Sequence, residues 1–432
     1  MHASSRVILA LSMTSALAGC VVQTSVNQLP ADSGAPDAGP APASHRVSSL
    51  ALSAGTSGAV LSYQLDCQGC VPGPRTATTQ VRGHIVILKD TDKSSLWSAG
   101  DAVPLPDTTQ PGGVLASSAL GDDFNVLVED PAGGVSLLGG ALPGGAVISA
   151  RISTNFTIGR QTQKRDFGER VRAGGLVSAG PGDVWFSALD AASKDAAKLM
   201  VVHAKDGAVV ETVAAPAAAT SGVLFLSPAM KSPAYAFSSG IAGADGEVKV
   251  ALGNGAQPVT APIAGTAAGL WTDGVGFRAA IQQANGLVFV WDGKNLVSGP
   301  RIDEAACSAV AFDAAGVAVV AHVGPKSAVL YVQKDQDLQT PALIEPSAVT
   351  IDTGRVTSEF AIKENGVKRC GVAVDANNVY VAWAEPAADG GGEAGDVGLP
   401  TIIQVLTLDR ASGTVVLRTR HDTVKNSVGN IR

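Results

Sequence analysis

The chain has 432 residues, 46% of them hydrophobic and only 16% charged, so it is long and apolar enough to bury a large core. Its 50 Gly and 23 Pro favour many turns over long helices, and aromatics at 4% leave Val, Leu, Ile and Ala to fill the interior. A net charge of −7 argues against a nucleic-acid partner, which requires a basic face, and against attraction to anionic lipid by charge alone.

The first 19 residues have the form of a secretory signal. Arg6 supplies a positive start, and Val7 to Ala18 form a 12-residue apolar run followed by small residues. That run is too short to span a bilayer as a helix, which takes about 20 apolar residues. It closes on Leu17-Ala18-Gly19-Cys20. This resembles the lipobox of bacterial lipoproteins, and the resemblance implies cleavage before Cys20 and acylation of that residue. Several acyl chains, at about 0.8 kcal/mol per buried CH2, hold such a chain firmly on a membrane. Val21 and Val22 follow, where lipoproteins retained at the inner membrane often carry Asp, so the resemblance leans towards the outer membrane. The alternative is an ordinary secreted protein in which Cys20 is incidental. From Val21 to Ser44, Pro, Ala, Gly, Ser and Asp dominate without any apolar period, as in a disordered spacer. The expected organisation is a signal over 1–19, a tether over 20–45 and a folded domain over 46–432.

Within that domain one pattern recurs: a short apolar strand, a turn built on Asp, Asn or Gly, and a β-branched or aromatic strand. Cys370-Gly371-Val372-Ala373-Val374, the turn at Asp375 to Asn378, and Val379-Tyr380-Val381-Ala382-Trp383 give it most clearly. Asp and Asn suit the turn because their side chains bond their own backbone. In chain order the units start near residues 47, 114, 176, 223, 269, 308 and 371. The first contains Val60–Leu65, His84–Leu88 and Ser95–Trp97. The second has the turn Gly121-Asp122-Asp123, and the third the turns Pro181-Gly182-Asp183 and Asp206-Gly207. The fourth is irregular, with only three clear strands up to Ala251. The fifth carries turns at Asp273-Gly274, Asn285-Gly286 and Asp292-Gly293, and the sixth has its turn at Asp313. Repeated units of about four strands predict an all-β fold, a β-propeller of seven blades of about four antiparallel strands. No blade signature assigns a propeller family. A pair of β-sandwich domains is the competing architecture, and the irregular fourth unit also leaves six or eight blades open.

Besides Cys20 there are four cysteines, an even number in an exported domain, which reads as two disulfides. Cys307 and Cys370 open the first strands of the sixth and seventh units, neighbours in a propeller, and are expected to bridge adjacent blades. Cys67 and Cys70 would pair locally. A redox reading of Cys67-Gln68-Gly69-Cys70 lacks the βαβ context, and a zinc reading lacks a second pair of ligands.

Candidate chemistry is sparse. Asp122, Asp123, Asp183, Asp273, Asp313 and Asp375 recur at the same turn, either as turn chemistry or as acids converging on one mouth of the ring. Arg160, Lys164, Arg165, Arg170 and Arg172 form the densest basic stretch, read as a solvated loop or short helix, or as a contact for an anionic partner such as a polysaccharide. Gly390, Gly392 and Gly395 match a dinucleotide fingerprint, but no helix follows. Asp90-Thr91-Asp92 begins like a calcium loop and lacks its Gly and terminal acid. His84 and His203 fall within strand patterns and read as packed. No catalytic set, metal site or cofactor emerges. The expectation is a lipid-anchored envelope protein that binds or scaffolds a protein or glycan partner. The alternatives are a carbohydrate-active propeller enzyme and an accessory lipoprotein of outer-membrane assembly.

Overall fold

The computed structural model describes the strands between residues 44 and 423 and most of the short turns joining them. The leader, Cys20 and nearly all of the tether lie outside the described residues. So do the expected strand Ser95–Trp97, Asp90 to Asp92, Cys70, the glycines at 390, 392 and 395, and Arg160, Arg165, Arg170 and Arg172. Among the described residues no helix is long and apolar enough to cross a membrane.

The protein is all-β, built from consecutive antiparallel sheets whose strands pair in chain order. The first sheet comprises β1 (Ser44–Gly55), β2 (Gly58–Gln68), β3 (Thr79–Lys89) and β4 (Ala102–Pro104). It begins two residues inside the stretch expected to be tether. The second comprises β5 (Val114–Leu120), β6 (Asp123–Asp130), β7 (Gly134–Ala141) and β8 (Ile148–Arg151). A separate two-stranded ribbon, β9 (Asn155–Ile158) with β10 (Gln161–Lys164), follows, so Lys164 of the basic stretch lies in a strand rather than in a loop or helix. The third sheet comprises β11 (Leu176–Gly180), β12 (Asp183–Asp190), β13 (Lys198–Lys205) and β14 (Ala208–Ala218).

Next comes a seven-stranded sheet: β15 (Ser221–Phe225), β16 (Ala234–Ser238), β17 (Gly246–Ala251), β18 (Val259–Thr272), β19 (Phe277–Gln282), β20 (Val288–Trp291) and β21 (Leu296–Ser298). It is two four-stranded units sharing β18, whose first half pairs with β17 and whose second half pairs with β19. The sharing explains the irregular fourth unit of the sequence: its last strand, Val259 to Gly265, runs straight into the next unit's first. Two four-stranded sheets complete the fold: β22 (Cys307–Phe312), β23 (Ala318–Val323), β24 (Ser327–Val332) and β25 (Ile351–Asp352), then β26 (Cys370–Val374), β27 (Asn378–Pro386), β28 (Pro400–Asp409) and β29 (Val415–Asp422).

Local chemistry sets the hairpins. Asp206 and Gly207 both take positive φ, 50° and 78°, the two-residue geometry whose twist matches the strands it joins, β13 and β14. Within each sheet, alternation of side chains presents one apolar set to each neighbouring sheet.

The first strands of successive units pack side by side, β1 on β5, β5 on β11, β11 on β15, β15 on β18, β18 on β22 and β22 on β26. β26 packs in turn on β1. The core therefore lies between sheets. Leu127 and Leu137 meet Leu176, Val184 and Phe186, and Trp185 and Val201 meet Leu224, Tyr235 and Phe237. Val47, Leu50 and Tyr63 of the first sheet meet Tyr380, Ile403 and Val405 of the last. Gly175 allows close approach between the third sheet and β15, since a Cβ would fall 2.8 Å from the backbone nitrogen of Leu224. Cys307 and Cys370 are joined as a disulfide with their Cα atoms 6.1 Å apart, across the last two sheets.

Candidate functional site

The turns between first and second strands carry the recurring acids, and hydrogen bonds from turn to turn place these turns at one end of the sheets. Thr56 N–H donates to Gly121 O at 2.8 Å between the first two sheets. Ser178 N–H donates to Ser118 Oγ at 3.0 Å, and Asn125 Nδ2 to Gly180 O at 3.2 Å, between the next two. Arg278 donates to Gly316 O at 2.7 Å, and Trp271 Nε1 to Ala314 O at 3.2 Å. Arg410, just after β28, donates to the Asp313 carboxylate and, at 3.0 Å, to Asp375 O.

Three of the six expected acids serve their own turns. Asp273 Oδ1 accepts the N–H groups of Val275 and Gly276, each at 2.8 Å, and these bonds, with Gly276 foremost, hold its carboxyl below the ordinary range. Asp313, only 6% exposed, accepts the N–H groups of Ala315 and Val317. Asp375 Oδ1 accepts those of Asn377 and Asn378, and its Oδ2 accepts the Tyr380 hydroxyl at 2.8 Å. Asp292 behaves alike at the turn between β20 and β21: burial pushes its carboxyl up, but the N–H groups of Asn295 and Lys294 outweigh that and hold it low. These carboxylates act as turn chemistry. Asp122 lies in the exposed turn before β6, and Asp123 begins that strand.

Asp183 differs. Antiparallel register sets Asp183 opposite Lys205 and Trp185 opposite His203, so all four side chains share one face of the third sheet. Asp183 Oδ1 lies 2.7 Å from His203 Nε2, and its Oδ2 lies 3.3 Å from Lys205 Nζ. The His203 ring stacks on Trp185, centroids 4.3 Å apart and planes within 5°. With side chains of Asp183 and His203 each 19% exposed, the carboxylate orients an imidazole that solvent reaches. Beside them Trp185, Val201, Val213, Ser232, Pro233 and Tyr235 line a crevice between the third sheet and β16. Its volume of about 10 Å³ is that of one water molecule. Burial pushes the Tyr235 phenol up. The arrangement can hold a polar group and exchange a proton with it. Among the described residues, no group of three or more His, Cys, Asp or Glu side chains could hold a metal ion.

Two further polar pairs are buried. Tyr63 OH and His421 Nε2 are 3.0 Å apart between the first and last sheets, and burial pushes the Tyr63 phenol up. Ser308 Oγ and His322 Nδ1 are 2.7 Å apart, each residue 2% exposed. Burial pulls the His322 imidazole down to about 4 from its ordinary 6.5. Between those values the unfolded chain binds a proton that the folded chain excludes, so stability falls as pH drops through that window. We expect a loss of order 2–3 kcal/mol from pH 7 to pH 4 attributable to this group. Urea unfolding across that range should show His322→Gln losing this part of the pH dependence. An unchanged slope in the variant would remove the assignment.

Sequence reading placed the turns and the Cys307–Cys370 pair but read His203 only as a packed strand residue. The spacing Asp183-x-Trp185 facing His203-x-Lys205 was the available signal, and it needs the strand register to be read. Arg410 carried no signal. Lys164 lies in β10; the other members of the basic stretch, like the Cys67–Cys70 pairing, fall outside the described residues.

No family model matches the chain, and no curated protein matches it. Among solved structures, it is similar to a puromycin hydrolase S511A mutant complexed with PGG, at 14% identity and a TM-score of 0.48, covering 88% of this chain and 55% of that one. It is also similar to the acylaminoacyl peptidase of Pyrococcus horikoshii, at 8% identity and 0.45, covering 90% and 54%. The computationally designed Ika8 protein gives 13% identity and 0.38, covering 87% of each chain. The chain thus spans about half the length of these two peptidase chains.

Proposed function

We propose that the chain is a lipid-anchored protein of the bacterial envelope, its sheets closed into a seven-bladed propeller, that binds a protein or glycan partner on the face formed by the linked turns. The contact of the first sheet with the last supports the ring. The observation that carries the binding reading is the set of hydrogen bonds between neighbouring units at the turn end of the sheets, from Thr56–Gly121 to Arg410–Asp313, with Val275 standing 89% exposed at that end. A face fixed before contact loses little conformational entropy on binding. Acyl chains on Cys20 would hold the folded domain at a membrane, and Val21 and Val22, in place of an Asp after the cysteine, lean towards the outer one.

The test is metabolic labelling with a clickable palmitate analogue, followed by in-cell cross-linking and affinity purification. The wild type should take up label, fractionate with membrane and retain one partner. Cys20→Ser should lose the label, and Val275→Asp should keep the label and lose the partner. Label on the Cys20→Ser protein, or a partner indifferent to Val275→Asp, would overturn the respective half.

The oriented Asp183–His203 pair favours a second reading, a propeller hydrolase or lyase acting at the solvent-reached face of His203 beside Trp185. Turnover of an envelope glycan lost in His203→Asn, with folding intact, would establish it over the binding reading.

A further inference from the structure

We propose that the Cys307–Cys370 disulfide is a redox latch on the C-terminal sheet, an inference that rests on closure of the sheets into a ring. Each sheet is cut from one continuous stretch of chain, so successive sheets are joined by chain, whereas the last sheet and the first are not successive. At that seam the last sheet meets the first through contacts that include Val47, Leu50 and Tyr63 against Tyr380, Ile403 and Val405, and the Tyr63–His421 pair. The fourth and fifth units, by contrast, share the continuous strand β18.

On one flank, therefore, the last sheet faces the first, with which it is not successive in the chain. On its other flank the chain reaches it from Asp352 through a connection that ends at Cys370. The disulfide ties the first residue of β26 to the first residue of β22, 63 positions earlier, so the sheet is anchored at its base to its neighbour. With the bridge closed, the strands from β26 to β29 cannot separate from the sixth sheet there without breaking a covalent bond. With it open, among the described residues they are held on that side by the Arg410 contacts and apolar packing, and on the other by the packing on the first sheet.

The chemistry needs a dithiol reductant. One thiolate attacks a cystine sulfur and displaces the other Cys as a thiolate, and the second thiol of the reagent then displaces the first Cys. Two electrons pass to the protein, the reagent becomes a cyclic disulfide, and Cys307 and Cys370 end as thiols. Both residues are buried, so the reagent gains access only when the sheet opens. Reduction thus follows local fraying that the intact bridge permits, only then can the sheet part from its neighbour, and reoxidation fixes it again.

Hydrogen exchange on the full-length acylated protein tests this, comparing the oxidised form, the form treated with a dithiol under mild denaturant, and untreated Cys307→Ala/Cys370→Ala. In the last two, amides of Asn378–Pro386 and Pro400–Asp409 should exchange roughly a hundredfold faster or more, while those of Val259–Thr272 hold their rates. Cys67→Ser/Cys70→Ser should respond to the dithiol as the wild type does. Equal acceleration in every sheet, no acceleration, or a response abolished by Cys67→Ser/Cys70→Ser would overturn the latch. Cross-linking of the oxidised protein separates the premise from the proposal: without links between the first and last sheets the ring fails and the latch with it. Links together with uniform exchange overturn the latch alone.

Discussion

Trp383→Ala lowers the unfolding free energy by about 3–5 kcal/mol, the largest effect expected of any single truncation here. The side chain is 1% exposed on β27 and packs among Cys307, Cys370, Val372, Val381 and Leu406, where the last two sheets meet. Removing the indole leaves a void walled by two sheets, and strands fixed by their own ladders cannot close it. Trp383→Phe refills most of the space and should cost only about 1–2 kcal/mol. Equilibrium urea unfolding with the disulfide intact reads both values from the midpoint at constant slope. A loss below about 1 kcal/mol for Trp383→Ala would mean that the two sheets do not pack as described.

Gly316→Val is the second severe change, at about 3–4 kcal/mol. Gly316 has a φ of +79°, which a β-branched residue adopts only under strain. A Cβ there would also fall 2.7 Å from ring carbons of Trp271. Trp271 cannot easily yield, because its Nε1 donates to Ala314 O and Arg278 lies over its ring, 5.8 Å from the centroid. Arg278 in turn donates to Gly316 O, so one substitution disturbs both halves of the contact between the fifth and sixth units. The expected readouts are a lowered unfolding midpoint and a red-shifted tryptophan emission. Gly274→Ala, at a similar φ of +93° but with nothing within 4 Å, isolates the backbone part and should cost about 1 kcal/mol. Equal costs at the two sites would show that Trp271 is free to move.

The repeated strands were legible because each unit opens with an apolar run and turns on Asp or Gly, a pattern set by local chemistry. Cys307 and Cys370 could be paired because both open a unit. β18 was not legible as one strand: Val259 to Thr272 contains Pro262, two glycines and several alanines, residues of low strand propensity that only pairing on both sides holds extended. The short β25 and the C-terminal β29 lacked the Asp or Asn turn that marked the others. The Asp183–His203 pair and the Arg410 contacts depend on register and on packing between sheets, which no single stretch of sequence encodes. Asp313 and Asp375 could be assigned to turns from sequence, but the cation reaching both from Arg410 could not.

The fourteen residues of β18 have a consequence for anyone who would cut or graft this protein. Elsewhere a unit can be lifted out at a connecting loop, as between Ala218 and Ser221, without trimming a neighbour. At β18 no such cut exists, because excising either unit strips an edge from the other. Even replacing Gly265 at the junction is barred, since a Cβ there would fall 2.6 Å from Ile281 Cγ2 and 2.9 Å from the Gln282 carbonyl oxygen. The fourth and fifth units form one indivisible module, to be duplicated, swapped or deleted only as a pair.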